Sequence, residues 1–541
     1  MKKFFAVTFL FLLFLRAIYG APPRDPDYLK NKPPDFKPCG VITEENSRAL
    51  RRAIKSLRIS NALTPATTYQ ILVIRVDFPE RAMTWTKSQT EDFFRRMKEY
   101  YWENSYGIIT TSAVVTNTVY RLSSITYYND ENDAELSKLL NDSVNAALAG
   151  GENFTGFNHI MIYHSGYGEE DSGTSSDIWS MYVPVEFTVS AKKFNGFTIV
   201  PELGSSSDPL GVICHEYGHQ LGLPDLYETS TTGGTSTCGT WSLMDYPYGY
   251  DRSGKPPPLD MWSKDFLNWV NLDSRKITSP QPSVSVLDTS VAPGSDTTGY
   301  IKIPIEVGTA NEYFIVEYRV KGNLKYNNFP STGVVIWHID DTVARDPARL
   351  SANNINTSSY LSVDLVEADG KTYYPWGKST DVFPTGKSEF LSPLSDAFNG
   401  TISGVSIGSF FLYNTAASFK IDRLLMSDVL NLARVSSYPN PAGTGYFHPR
   451  GAVATINFAA SRVPQRLDLA IYNVTGERIL NIPKDKIAVR MGTGGSTDGN
   501  LVYEYDWDGR DETGTPVSPG IYIYRVRADD LIKTGRMVIE R

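Results

Sequence analysis

The stretch GVICHEYGHQLGLPDLYE, residues 211–228, constrains this chain more than any other. Residues four apart share one face of an α-helix, so a helix here presents His215 and His219 to a single point. Glu216 lies one residue round from the first of them, close to whatever the pair binds. Two imidazoles aimed at one point make a zinc geometry, and a catalytic zinc site takes three protein ligands while keeping a fourth position for water. Gly222 supplies a left-handed turn that ends the helix and Pro224 stiffens the exit, which places Asp225 as the third ligand. Zinc lowers the pKa of water toward neutrality, and Glu216 is then positioned as the general base for attack on a scissile carbonyl. The alternative, an ordinary helix that happens to contain histidines, has to account for five fixed positions in eleven residues of a chain with only six His.

At 541 residues the chain exceeds what one hydrophobic core supports and predicts roughly three or four units. Hydrophobic residues at 41% and charged residues at 21% exclude a disordered or fibrous composition. A net charge of −8, with no long Lys/Arg tract, argues against a nucleic-acid partner. The N-terminus, MKKFFAVTFLFLLFLRAIYGAPPRDPD, has two lysines, an apolar run from Phe4 to Leu15 and small residues at Gly20 and Ala21, and reads as a secretory signal peptide. The run is short for a membrane span and Arg16 interrupts it. The expectation is a secreted protein, extracellular or on the cell surface, with no membrane span after signal removal. Export places Cys39, Cys214 and Cys238 in an oxidising compartment, where an odd number leaves at least one over.

The sequence divides into five pieces: a signal peptide at 1–20, a Pro-rich pro-segment or linker at 21–66, a catalytic domain at 67–275, a β-sandwich at 276–425 and a second, smaller β-sandwich at 426–541. TTYQILVIRVDFPE reads as a buried strand ended by Pro79, and KSQTEDFFRRMKEYYWENSYG as a helix closed by Gly107, which together open an α/β domain. FNHIMIYHSGYG repeats the strand-to-glycine pattern. From about 276 the runs GYIKIPIEV, EYFIVEYRV and GVVIWHID are short, alternating and separated by Gly, Pro, Asn and Ser, which predicts an all-β unit.

A second motif, GTWSLMDYPYG at 239–249, completes a resemblance. HExxHxxGxxD followed by a Met-bearing turn is similar to the metzincin clan of zinc endopeptidases. The clan's usual third ligand is histidine, and this chain departs from it with Asp225. The resemblance implies that Met244 forms a hydrophobic floor under the metal without binding it. It also implies that Tyr246 contacts the metal or steadies the oxyanion, a role for which Tyr248 and Tyr250 are substitutes. Within the clan, ILVIRVDFPE, NSYG, HSGYGEE, DIWS, HEYGHQLGLPDLY, WSLMDY, LDMWSKDFLNWV, EYFIVEYR and GVVIWHID resemble, in that order, the immune inhibitor A type of secreted bacterial protease, the sixth metallopeptidase family. That implies a zinc endopeptidase acting on proteins or peptides, with a β-sandwich behind the catalytic domain and often structural calcium. The acidic loops GEEDSGTSSD and HIDD are the places that could hold calcium, against the plainer reading of solvated loops.

The tail, with YPNPAGTG, LDLAIYNVTGERI, WDGRDETGTPVSPGIYIYRV and KTGRMVIER, resembles the Ig-like module of flagellar hook-capping proteins and of many secreted bacterial enzymes, including type IX secretion cargo. It implies a spacer or attachment module, with secretion machinery or the cell surface as partner. Cys214 and Cys238 flank two segments that converge on the metal, so a disulfide between them is expected. Cys39, in FKPCGV, is then a candidate latency switch of the kind seen in matrix metalloproteases, an idea that equal activity of the uncleaved protein and its Cys39→Ala form would dispose of. The competing function class is a secreted adhesion or binding protein that keeps the protease fold without turnover. The presence of Glu216 beside both histidines favours the enzyme.

Overall fold

The computed structural model describes residues 19–20, 67–128, 133–204, 208–229, 236–293, 299–307, 311–371, 376–423, 432–440, 442–443, 454–461, 463–464, 466–491 and 501–540. The signal-peptide reading and the pro-segment lie outside these residues, apart from a two-residue strand at Tyr19–Gly20. The run ILVIRV forms the centre of the strand Thr67–Asp77, which pairs in parallel with Ile109–Val115 on one side and His159–Tyr167 on the other. Phe197–Leu203 continues the parallel order beyond His159–Tyr167. The short strand Met181–Val183 then runs antiparallel to it and pairs in turn with Tyr19–Gly20.

Parallel strands are buried on both faces, and alternation along them feeds two separate cores. Leu72, Ile74 and Val76, with Ile160 and Ile162, pack against the helix Asp133–Ala149 through Leu136, Leu139 and Leu140. Ile71 and Val73, with Met161 and Tyr163, face the opposite way, toward the helices Lys87–Asn104 and Leu210–Leu221. Lys87–Asn104 starts at Thr86, whose hydroxyl accepts from the Gln89 amide while the Gln89 side chain accepts from the Thr86 amide, a reciprocal cap. Its Phe93, Met97, Tyr100 and Asn104 recur at helical spacing and are buried.

Downstream, the strands Tyr300–Pro304, Glu312–Arg319, Gly333–Asp340 and Val363–Leu365 form an antiparallel sheet in that order. Glu312–Arg319 and Gly333–Asp340 are buried at all positions. The reason lies in the period of two: Phe314, Val316, Val334 and Ile336 face a three-stranded sheet of residues 281–287, 405–412 and 416–423, whereas Tyr313, Ile315, Val335, Trp337 and Ile339 join the core of the site helix. These strands therefore do not alternate between core and solvent, as their spacing suggests; they are a middle layer. At the C-terminus a four-stranded and a five-stranded sheet share another core, built around Phe458, Trp507, Leu469, Val526 and Met537. No helix among the described residues is long and apolar enough to cross a membrane.

A candidate metal centre

The helix Leu210–Leu221 is buried at every position but Gln220, because the parallel sheet, the downstream sheet and the chain of residues 236–270 enclose it. Gly222 ends it with φ of 108°, the left-handed turn its sequence position calls for, and the amide of Leu223 reaches back to the carbonyl of Gly218 at 3.0 Å. This reversal aims Leu223's own carbonyl at His219, whose Nδ1 donates to it at 2.8 Å. His215 Nδ1 donates likewise to the carbonyl of Leu243 at 2.9 Å. These partners assign each ring proton to Nδ1 and leave each Nε2 as an acceptor.

The two Nε2 atoms lie 3.1 Å apart, and Asp225 Oδ1 stands 3.0 Å from His215 Nε2 and 3.1 Å from His219 Nε2. Oδ1 has no hydrogen-bond partner, although the residue is fully enclosed. Three acceptor atoms this close repel one another unless a cation sits among them. Donors held about 2.0–2.2 Å from a tetrahedral ion stand roughly 3.3–3.6 Å apart, so the three atoms, at 3.0–3.1 Å, need to spread only a few tenths of an ångström to take zinc. Among the described residues, no other group of three or more His, Cys, Asp or Glu side chains converges in this way. Burial pushes the Asp225 carboxyl up, but the charge and hydrogen bonds of the facing imidazoles, when a proton sits on them at Nε2, outweigh it and hold it below the usual carboxylate range. Burial pushes His219 down against the pull of Asp225. Carboxylate and neutral imidazole are the forms that bind a metal.

Glu216, adjacent to the first histidine, is fully buried. Met244 lies directly against the site helix: a Cβ on Gly218 would meet its Sδ at 2.8 Å, so a larger residue between the two histidines would displace the Met244 side chain. The turn that carries Met244 is tied down by its neighbours. Ser242 Oγ donates to Asp260 at 2.7 Å and accepts from the Met244 amide at 3.2 Å. Tyr246 packs with Tyr248, Trp376 and Val212, and Val212 precedes Glu216 by one helical turn on the same face.

The expected disulfide is absent: Cys214 and Cys238 are separate buried thiols. They face different surroundings. The carbonyl of Cys214 accepts from Tyr101 Oη at 2.5 Å, on the side of the Lys87–Asn104 helix, and burial pushes its thiol far up. Cys238 is raised by burial and by the neighbouring carboxylate of Asp245. Sequence proximity to one site did not bring the two thiols into a bond. Cys39 lies outside the described residues.

Three residues that the sequence motifs do not single out support the centre. Asp245, next to Met244, accepts from the amides of Thr237, Cys238 and Gly239 at 2.7, 2.5 and 3.1 Å and so fixes the chain that leads into the turn. Asp260 anchors that turn through Ser242. Asn353, far downstream, bonds to Asp225. Adjacency to Met244 was a signal for Asp245; nothing local marks Asn353. The acidic loops engage other groups. Glu170 accepts from Ser180, while Asp340 and Asp341 accept from Tyr360, Trp262 and Tyr313.

Residues 155–269 match the family model described as Immune inhibitor A peptidase M6, catalytic domain. Immune inhibitor A of Bacillus thuringiensis subsp. alesti is 27% identical over 270 residues, 38% of this chain and 38% of that protein. Pre-pro-metalloprotease PrtV of Vibrio cholerae serotype O1 is 34% identical over 149 residues, 24% of this chain and 16% of that protein. The chain thus spans less than two fifths of the curated relatives it matches. A solved structure of PorZ, a surface component of the type-IX secretion system of Porphyromonas gingivalis, is 17% identical over 45% of this chain and 37% of that chain, with a TM-score of 0.19, too low to relate the folds.

Proposed function

We propose, on the premise that residues 155–269 form a peptidase M6 metallopeptidase domain, that this protein is a secreted, metzincin-like zinc endopeptidase cleaving peptide bonds in proteins. The observation that carries the reading is the convergence of His215 Nε2, His219 Nε2 and Asp225 Oδ1 in a buried site. These three residues hold the metal. Zinc, when bound, supplies Lewis-acid polarisation and activation of water at neutral pH. Glu216 takes the proton from the attacking water at its carboxylate and returns it to the leaving nitrogen. Tyr246 donates its hydroxyl hydrogen to the oxygen on which negative charge develops. The paired sheets downstream are accessory β-sandwich domains, the last one an Ig-like module for spacing or attachment. Deletion of 426–541 should therefore change the split between medium and cell surface while leaving proteolysis intact.

The test compares protein lacking residues 1–66 with its Glu216→Ala and Tyr246→Phe forms, measuring zinc content and hydrolysis of casein. The expected result is about one zinc per chain in all three. Cleavage should be abolished by Glu216→Ala and lowered at least about 10²-fold by Tyr246→Phe. Unchanged cleavage in Tyr246→Phe would remove the oxyanion role alone. Zinc without cleavage in the parent protein would favour a binding protein on the same fold, and absence of zinc would overturn the whole reading.

A further inference from the structure

The third ligand of the metal centre is held from outside the segment that carries the other two. Asn353 sits after the short helix Pro347–Ser351, in the chain that leaves the downstream strand Gly333–Asp340, and it is 1% exposed. Its Nδ2 donates to Asp225 Oδ2 at 2.5 Å, and its Oδ1 accepts from the backbone amide of Asp225 at 2.9 Å. One planar amide thus grips both the side chain and the main chain of the same residue. With Oδ2 engaged, Oδ1 is the oxygen turned toward the two histidines.

The grip is part of a wider clamp. The carbonyl of Asn353 accepts from Thr229 Oγ1. Three residues on, Asn356 Nδ2 donates to the carbonyl of Leu226 at 2.7 Å, and is itself tied to the downstream sheet through the carbonyl of Val363 at 2.9 Å. Residue 353 has φ of 48°, a left-handed conformation that asparagine tolerates better than most side chains. Asparagine also offers the donor and acceptor that the two contacts need. Aspartate at this place would set carboxylate against carboxylate.

We propose that Asn353 is a positioning residue for the metal, fixing Asp225 in the orientation that ligates, so that the downstream sheets are a working part of the centre. The proposal rests on the zinc-site reading. Its test uses the full chain, stripped with a chelator, with zinc affinity measured by competition against a chromophoric chelator and the visible spectrum recorded with cobalt(II) in place of zinc. Asn353→Gly keeps the left-handed backbone and removes the grip. It should weaken zinc binding about 10–100-fold and alter the cobalt bands, with the far-UV circular dichroism of the metal-free protein unchanged. Asn353→Asp, of the same size, should weaken binding in the same direction, and it decides the matter if Asn353→Gly does not fold. Affinity within about twofold of the parent, with the same cobalt spectrum, overturns the proposal. A parent chain that takes up no zinc fails at a different step, the metal site itself.

Discussion

Glu170 shows how burial decides the chemistry of a single residue. It lies in the acidic stretch GEEDSGTSSD, one of the places that could hold the calcium the family resemblance implies, yet it is 2% exposed and its oxygens accept from the amide and hydroxyl of Ser180 at 2.9 and 2.7 Å. Burial pushes its carboxyl up from about 4.5 to about 8, so it is mostly protonated at neutral pH and poorly suited to hold calcium. The folded state keeps this proton after the unfolded chain has lost it. The stabilisation is therefore complete below the unfolded value and disappears as pH rises from about 4.5 through about 8. Glu170→Gln, which stays neutral throughout, should unfold with a flatter dependence on pH across this window. It should be the more stable form at its alkaline end. Thermal midpoints recorded at several pH values check this, and parallel curves for the two proteins would contradict it.

Among the elements, the strand Glu312–Arg319 ties the region of the site helix to the downstream sheets. Glu317 and Arg319, both on the face toward the site helix, are 0% and 1% exposed, and Arg319 Nη2 donates to Glu317 Oε1 at 2.6 Å. Trp337 Nε1 donates to the same oxygen, and Arg319 Nη1 donates to the carbonyl of Trp241 at 2.5 Å, just before the Met244 turn. Glu317→Ala leaves the guanidinium buried without its counter-charge and should cost about 3–5 kcal/mol, measured by denaturant unfolding at neutral pH. A cost under about 1 kcal/mol would mean that Arg319 finds water or another partner. This strand also marks the limit of what the sequence makes legible. His215, Glu216, His219 and the turn at Gly222 were legible because helical periodicity and a left-handed glycine convert spacing directly into geometry. EYFIVEYR and GVVIWHID, read as alternating runs, carry apolar residues on both faces, and a short apolar run does not say what covers its second face. Asn353 was illegible for the same reason, since its contact with Asp225 spans 128 positions and exists only once the middle layer is in place.

At the scale of the whole molecule, the distribution of cores argues for two cooperative units rather than three. The core around the site helix takes in Ile71 and Trp241 from the catalytic domain and Ile315, Trp337 and Val363 from the downstream sheet, so neither region can open without exposing the other. The other face of that sheet carries the three-stranded sheet with it. The C-terminal sheets enclose a core of their own, which, among the described residues, Ile402 alone enters from the preceding region. Calorimetry should accordingly resolve two transitions, one for residues 67–423 and one for residues 432–540. On the proposed function, zinc would bind only the folded form of the first unit, and at a thousandfold excess over Kd it would contribute about 4 kcal/mol there. Stripping the metal with a chelator should therefore lower the first midpoint and leave the second in place. If both midpoints moved together, the C-terminal sheets would be coupled to the metal centre through more than Ile402; if three transitions appeared, the core shared by the catalytic domain and the middle layer would not be the cooperative unit that its packing implies.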